Sequence, residues 1–401
     1  MGGTYATKEC ICAVLGNRTL ETLNLGWNCF NGEVFTTLGR MVVENKRLRT
    51  LCIDNCSASV EEAVTPVSLF LEQLSHNVSL TRLDVAINRI DYRAALIIED
   101  SLGHHGRLAE LNLAQNPLGV LGIRSILRLL SHSSAGLMHF DADGCHSGAA
   151  EPDDASRGSG APGKALVHDY STGRVFHYTN PGGKYVLNLA KPYDRTLLRM
   201  LYKACELRFG LPPEKAFQNI SFTTPPPKPP SRLGYNHPAK DSAGKWEVPV
   251  YGVLTMTFSV QEALEAAFKV IEDSDFSGFL DRHFELTRFH PSWKKAVPLC
   301  ARWKQLDGRA LEQYVYIDAL AKDFSLNFEY LEHMCRVNAG FAMDTICRLS
   351  PCIPSDKASR YLSLMIAPSL SDYLWTHKQM TALIDFNVDN PTGHYKLDLG
   401  R

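Results

Sequence analysis

A pattern of apolar residues recurs five times in the first 145 residues of the chain. Each copy follows the order L-x-x-L-x-L-x-x-N/C, with apolar residues at positions 1, 4 and 6 and asparagine or cysteine at position 9. The copies begin at Leu20, Leu48, Leu80, Leu108 and Leu137, so that their starts lie 28, 32, 28 and 29 residues apart. The fifth copy is weaker, with phenylalanine and alanine at positions 4 and 6. This spacing predicts a solenoid of stacked strand-and-helix units.

The pattern assigns a structural role to each position of the repeat. The apolar residues are expected to surround a short parallel strand and to point into the core. The side chain at position 9 is expected to hydrogen-bond the backbone where the chain turns out of the strand. Between the copies, apolar residues follow at helical spacing, as in 34–42 and 123–130. Each unit therefore combines one strand with one helix.

A period near 28 residues with one helix per unit resembles the leucine-rich repeats of the ribonuclease-inhibitor-like subclass. The resemblance covers about residues 6–146 and implies an α/β leucine-rich repeat solenoid whose concave strand face binds a macromolecule. Residues 6–15 have the pattern of a preceding unit's helix, and no polar capping repeat comes before them. We therefore expect residues 1–146 to be a solenoid of five repeats that is truncated at its N-terminus or, alternatively, has an open end covered by a partner.

Composition changes after residue 146 predict the further organisation. Gly, Ser, Ala and acidic residues predict a flexible linker, a proline run predicts a stiff loop, and later apolar spacing is mainly helical. The fold class expected is thus a solenoid followed by an α+β, mainly helical second domain. The predicted segments are a linker over 147–170, a small α+β segment over 171–222, a proline-rich loop over 223–245, and a mainly helical region over 246–385.

The chain also carries a second internal repeat. The pattern F-x-x-x-N-P-x-G-x-Y-x-L-x-L begins at Phe176 and returns 210 residues later at Phe386. Asn-Pro followed by Gly predicts a turn, and the alternating Tyr, Leu and Leu predict a strand. Residues 386–401 would then start a second copy of the 176–189 motif, so we expect this chain to be part of a longer modular protein.

Charge and cysteine content restrict the partners. The formal net charge of −1 gives no general attraction to nucleic acid, so none is expected as a partner. No apolar run approaches the roughly 18 residues of a membrane span, and no membrane partner is expected. The 11 cysteines are scattered through the chain, which predicts reduced thiols and a cytoplasmic location.

The concave face of such a solenoid is formed by positions 3, 5 and 7 of each repeat, because side chains alternate along a strand. These positions become acidic toward the C-terminal repeats, which predicts a protein partner that is basic. The alternative is that they are ordinary solvated side chains. The predicted partner-binding residues are Thr22, Asn24, Thr50, Asp54, Arg82, Asp84, Glu110, Asn112, His139, Asp141 and Asp143.

Other motifs lie in the C-terminal part. Asp273, Asp275, Ser277 and Asp281 resemble the first nine positions of a calcium-binding EF-hand loop, although Phe284 stands where a bidentate glutamate is needed. Pro227, Pro230 and Arg232 match a polyproline ligand of SH3-type domains, with a rigid spacer as the alternative. The basic and aromatic stretch 288–304 suits either single-stranded nucleic acid or an amphipathic helix with buried tryptophans.

Common enzyme motifs of metalloproteases, serine hydrolases and dinucleotide-binding proteins are absent from the sequence. We therefore expect a non-catalytic scaffold or adaptor without a cofactor, which binds its partner on the concave face. A first alternative is a regulator of a small GTPase, because similar solenoids include activators of Ran-type GTPases. A second alternative is a calcium-responsive module around 273–281.

Overall fold

The chain falls into two compact units in the computed structural model. The first unit holds 1–129 and 134–272, and the second holds 130–133 and 273–401. The residues that the structure describes are 4–57, 65–145, 168–169, 176, 178, 181–223, 248–260, 262, 293–306, 309–324 and 334.

Five short parallel strands form one sheet in the first unit, and they follow each other in chain order. Their register pairs equivalent positions of successive repeats, so that Thr22 pairs with Thr50 and Thr50 with Arg82. This in-step register confirms the α/β strand-and-helix fold that the repeat predicts. The strands are β1 (Thr22–Asn24), β2 (Thr50–Cys52), β3 (Arg82–Asp84), β4 (Glu110–Asn112) and β5 (His139–Asp141).

One helix precedes the first strand, and one helix follows each of the first four strands. The apolar positions of α2 are buried, including Phe35, Leu38 and Met41, as their spacing predicts. The side chain of Asn31 caps this helix by accepting the Val34 N–H at 3.1 Å. The helices are α1 (Thr4–Leu15), α2 (Gly32–Glu44), α3 (Val67–Gln73, continued by a 3₁₀ turn to His76), α4 (Tyr92–Leu102) and α5 (Gly119–Ser131).

The residues at position 9 hydrogen-bond the backbone in a ladder, as predicted, and from the second repeat on they are buried. Asn88 donates to the carbonyl of Ile53 at 2.7 Å and accepts the Cys56 N–H at 2.9 Å. Asn116 repeats the arrangement one unit later, and the Cys56 thiol donates to the Leu25 carbonyl at 3.1 Å. The ladder satisfies buried backbone groups at the exit of each strand.

A second ladder lies three residues before the first leucine of four repeats. Asn17, Asn45 and Asn77 each accept the N–H of that leucine, at 2.7, 3.0 and 2.9 Å. In the fourth repeat His105 takes this place, and its Nδ1 accepts the Leu108 N–H at 3.0 Å. The apolar pattern of the repeat does not reveal this position, although an asparagine recurs there at the repeat spacing in the first three repeats.

A four-stranded sheet in the order β6-β7-β9-β8 belongs to the same unit. Strand β7 contains the predicted Tyr-x-Leu alternation, and Tyr185 and Leu187 are buried while Lys184 and Val186 are exposed. Helix α6 packs against both this sheet and the solenoid helices α3 and α4. The elements are β6 (His168–Asp169), β7 (Gly183–Asn188), α6 (Pro192–Lys203, continued by a π turn to Arg208), α7 (Pro213–Ala216), β8 (Phe217–Thr223) and β9 (Val253–Phe258).

The described part of the second unit contains helices α8 (Trp293–Gln305) and α9 (Ala310–Asp323). Trp303 is fully buried, and its ring stacks on that of Tyr316 with the centroids 5.8 Å apart. This burial supports the amphipathic-helix interpretation of the basic and aromatic stretch. The calcium-like motif, the proline motif and the second copy of the 176–189 motif all lie outside the described residues.

Candidate functional site

The eleven predicted partner-binding residues all lie on the strand face of the five-stranded sheet or directly after it. The middle residue of β2 to β5 is buried in each strand, whereas its two neighbours are exposed or partly exposed. Neighbouring strands are about 5 Å apart, so equivalent side chains form continuous rows. The structure thus brings the predicted residues together on one surface.

The residues at position 5 also shape the strand exits. Oδ1 of Asn24, Asp84, Asn112 and Asp141 accepts the backbone N–H two residues later, at distances between 2.8 and 3.1 Å. This is the local side-chain turn that asparagine and aspartate make in loops. An aspartate at this position can therefore be exchanged for asparagine, which loses the charge and keeps the turn.

Carboxylates dominate the charge of this face. Positions 3, 5 and 7 carry five carboxylates and one arginine. The arginine, Arg82, lies 3.5 Å from Glu110 in a pair whose side chains are largely exposed, and the Asn112 amide donates to Asp84 at 2.9 Å. An exposed pair of this kind contributes little to stability, and the face remains net negative.

Asp54 is held close to the backbone of the first repeat. Its Oδ1 accepts the Cys52 thiol at 2.8 Å and would lie only 2.0 Å from a Cβ added to Gly26. Only glycine therefore fits at residue 26 with this arrangement. Burial, assisted by the hydrogen bond to Asp54, raises the pKa of Cys52 to about 12. The thiol stays protonated at neutral pH, so it is not a nucleophile here.

Position 8 of every repeat has a left-handed backbone, a feature that the apolar pattern of the sequence does not predict. The signal was present in Asn55 and Gly144, because these two residue types tolerate positive φ. We call this row of five residues the rim of the strand face. The rim and its φ angles are Trp27 (61°), Asn55 (49°), Ile87 (56°), Gln115 (59°) and Gly144 (70°).

The helix face of the solenoid carries a different cluster, in which two carboxylates meet three cations from α6. Arg199 donates to Asp100 at 2.6 Å and to Glu72 at 3.0 Å. Lys203 donates to Asp100 at 2.8 Å, and Arg195 pairs with Glu72. We call these five residues the α6 cluster. It attaches the second sheet to the solenoid.

The α6 cluster is ionised despite its burial. Burial raises the pKa of the Asp100 carboxyl, but the charges and hydrogen bonds of Arg199 and Lys203 outweigh it and leave that pKa below its usual value. The pKa of Glu72 is lowered in the same way, with burial opposed by Arg195 and Arg199. Each buried carboxylate can therefore stay ionised in the folded chain only while its cationic partners lie beside it.

A shallow cleft elsewhere in the first unit is lined mainly by aromatic and basic residues, among them Tyr92, Arg124, Arg128, Tyr178 and Tyr193. Its Arg128 is buried and pairs with Glu99 at 2.7 Å, and its guanidinium lies 4.6 Å from the centre of the Tyr178 ring. These contacts hold the arginine within the fold. Among the residues that the structure describes, no group of His, Cys, Asp or Glu is arranged to hold a metal ion.

One family model and several solved structures are similar to parts of the chain. A family model described as Leucine Rich repeat matches residues 16–33, which contain the first nonamer. Similar solved structures include leiomodin-1 actin-binding site 2, which is 18% identical with a TM-score of 0.29 and shares 34% of this chain and 76% of that one. The Caenorhabditis elegans tropomodulin C-terminal domain is 14% identical with a TM-score of 0.30, over 34% of this chain and 82% of that one. No curated protein matches the chain. The strand-and-helix repeats of the N-terminal part and the family match at residues 16–33 support a leucine-rich repeat protein.

Proposed function

We propose that the solenoid is a non-catalytic binding module that captures a basic protein partner on its strand face. The observation that carries the proposal is the continuous surface of predicted residues, on which five carboxylates are set against one arginine. A strip of one charge attracts the opposite charge and raises the association rate. The chain would then act as a scaffold or adaptor.

The placement of α6 supports the choice of face. Helix α6 packs on α3 and α4, so that part of the helix face is occupied by the chain itself. The strand face is formed by exposed and half-buried polar residues. We therefore assign partner binding to the strands and attachment of the second sheet to the helices.

We also propose that the repeats belong to the ribonuclease-inhibitor-like subclass. The support is the full helix in several units, since α2 has 13 residues, α4 has 11 and α5 has 13.

In addition, we propose that the protein works in a reducing compartment, the cytoplasm. The eight cysteines within the described ranges are free thiols, and burial raises the pKa of Cys56 to about 11. Such thiols suit a reducing environment.

The test removes charge from the strand face without changing its turns. A triple variant carries Asp84→Asn, Glu110→Gln and Asp141→Asn, and asparagine already occupies position 5 in the first and fourth repeats. Because association is steered by charge, we expect recovery of the partner from native extract to fall by at least about tenfold at low salt. Quantitative mass spectrometry of the captured proteins at several salt concentrations measures it.

The matched control removes three carboxylates from the helix side, with Glu9→Gln, Glu33→Gln and Glu44→Gln on α1 and α2. These residues are exposed, so the change in net charge is the same. We expect the control to recover the partner like the unmodified protein. Equal recovery by both triple variants would contradict the proposal.

A further inference from the structure

Two residues of the rim have a backbone conformation that does not suit them. Trp27 and Ile87 have φ of 61° and 56°, and a β-branched residue such as isoleucine is an outlier in this region. The second and fifth repeats place Asn55 and Gly144 at the same position, where these residue types are relaxed. Folding alone would favour asparagine or glycine in all five repeats.

The conformation is imposed by the backbone of the solenoid. The first four rim residues each donate the N–H to the carbonyl at position 7 of the next repeat. Trp27 reaches Asp54 at 2.8 Å, and Ile87 reaches Ala114 at 3.0 Å. Asn55 and Gln115 make the same bond at 2.9 and 2.7 Å. This ladder keeps the left-handed turn whatever side chain is present.

Burial does not compensate for the strain. The side chain of Trp27 is 74% exposed and that of Ile87 is 41% exposed, so neither is a core residue. A strained residue that the surrounding structure over-determines often serves a binding function. An exposed tryptophan is also the residue type that dominates the energetics of protein interfaces.

The surroundings of Trp27 indicate which chemistry it would bind. Oδ1 of Asp54 and Oδ1 of Asn24 both lie close to Gly26. A Cβ atom added to residue 26 would be 2.0 Å from the first oxygen and 3.2 Å from the second. Trp27 is the next residue of the chain. The Trp27 N–H donates to the Asp54 carbonyl at 2.8 Å, so these two residues are neighbours across the first two repeats. An exposed tryptophan with a neighbouring aspartate suits a guanidinium or ammonium group, through cation–π attraction and charge-assisted hydrogen bonds.

We infer that the rim holds an extended basic segment of the protein partner, an inference that rests on the proposed function. An arginine or lysine of the segment binds at Trp27 and Asp54, and an apolar residue contacts Ile87. Trp27 and Ile87 lie two strands apart, which is about 10 Å, and an extended chain covers about 10 Å in three residues. The basic and apolar residues of the segment are therefore three positions apart.

The probes are fluorescent twelve-residue peptides in a Gly/Ser background. One carries arginine and leucine three positions apart, and a second carries them one position apart. Binding to the full chain is measured by fluorescence anisotropy. We expect the first peptide to bind at least about threefold more tightly than the second. Absence of binding of the first peptide at about 1 mM would overturn the inference.

The variants Trp27→Asn and Ile87→Asn install the residue of the second repeat at the rim. We expect Trp27→Asn to weaken binding of the first peptide at least about tenfold, since it removes the aromatic anchor. Its melting temperature should equal or exceed that of the unmodified protein, because asparagine relieves the strain. Tyr5→Asn is the matched control, because Tyr5 on α1 is 76% exposed. This control should change neither quantity.

Three results distinguish this inference from the proposed function. If the rim variants bind the peptide and capture the partner normally while the charge-neutralised triple variant does not, the rim inference is wrong and the charged strip stands. If Trp27→Asn lowers the melting temperature, the tryptophan has a structural role and the inference is also wrong. Normal capture by the triple variant would instead contradict the proposed function.

Discussion

The two faces of the solenoid differ in how far the repeat determines them. On the strand face, the five strands share one register, and the side-chain turn at position 5 and the backbone ladder each recur in four units. On the helix face, Glu72 of α3 and Asp100 of α4 carry the contacts with α6, and these residues have no counterpart in the pattern. A repeat therefore predicts what its units share, whereas attachment of another element depends on single residues.

The strongest test of the features that the repeats share is to place a charge at a buried leucine in the middle of a strand. Leu83→Asp or Leu111→Asp places a carboxylate where the side chain is almost fully buried. An unpaired buried charge costs several kcal/mol, a large part of the 5–15 kcal/mol that stabilises a typical protein. We expect each variant to lose the solenoid, as measured by circular dichroism and thermal melting. Thr22→Asp, at an exposed position, is the control, and unchanged melting of Leu83→Asp would disprove the repeat assignment.

The strands and the position-9 ladder could be predicted because both follow the spacing of the repeat. The second ladder could not be separated from chance, since His105 replaces asparagine in its fourth unit. The left-handed rim was hidden because Trp27 and Ile87 do not have the residue type that this backbone favours. The α6 cluster could not be predicted from the sequence, because its hydrogen-bonded partners Asp100 and Arg199 are 99 residues apart.

The next test concerns the attachment of helix α6 to the solenoid, which depends on the single residues of the α6 cluster. Asp100→Asn keeps the size of the side chain and leaves Arg199 and Lys203 without their carboxylate. Removal of one member of a buried ion pair costs about 3–5 kcal/mol. We expect urea unfolding to show this loss, with the second sheet separating from the solenoid first. Glu44→Gln, in the exposed pair with Arg40, should change the free energy of unfolding by less than about 1 kcal/mol.

Comparable losses for Asp100→Asn and Glu44→Gln would show that the α6 cluster is not a determinant of stability. A single cooperative transition in Asp100→Asn would show that the sheet and the solenoid unfold together whatever holds them.

The smallest expected effect is a dependence of stability on pH. Burial lowers the pKa of His105 below its ordinary value of 6.5, so the folded chain binds this proton less well than the unfolded chain. Stability is then fully present above pH 6.5 and decreases as the pH falls through the folded-state pKa. His105→Asn, which copies Asn77, should reduce this decrease in melting temperature. His104→Asn measures how much of the pH dependence comes from His104. The pKa of His104 is also lowered, first by burial and then by the charge of Lys203. An unchanged pH profile in His105→Asn would contradict the assignment.

The most direct test of strand-face binding compares two threonines of the first repeat. Thr22 is exposed on β1, and Thr36 is exposed on α2. A photo-crosslinking amino acid replaces each in turn, and crosslinked proteins from native extract are identified by mass spectrometry. We expect one basic protein to crosslink through residue 22 and not through residue 36, with a yield that falls as salt rises. Crosslinking of that protein through residue 36 alone would contradict the account.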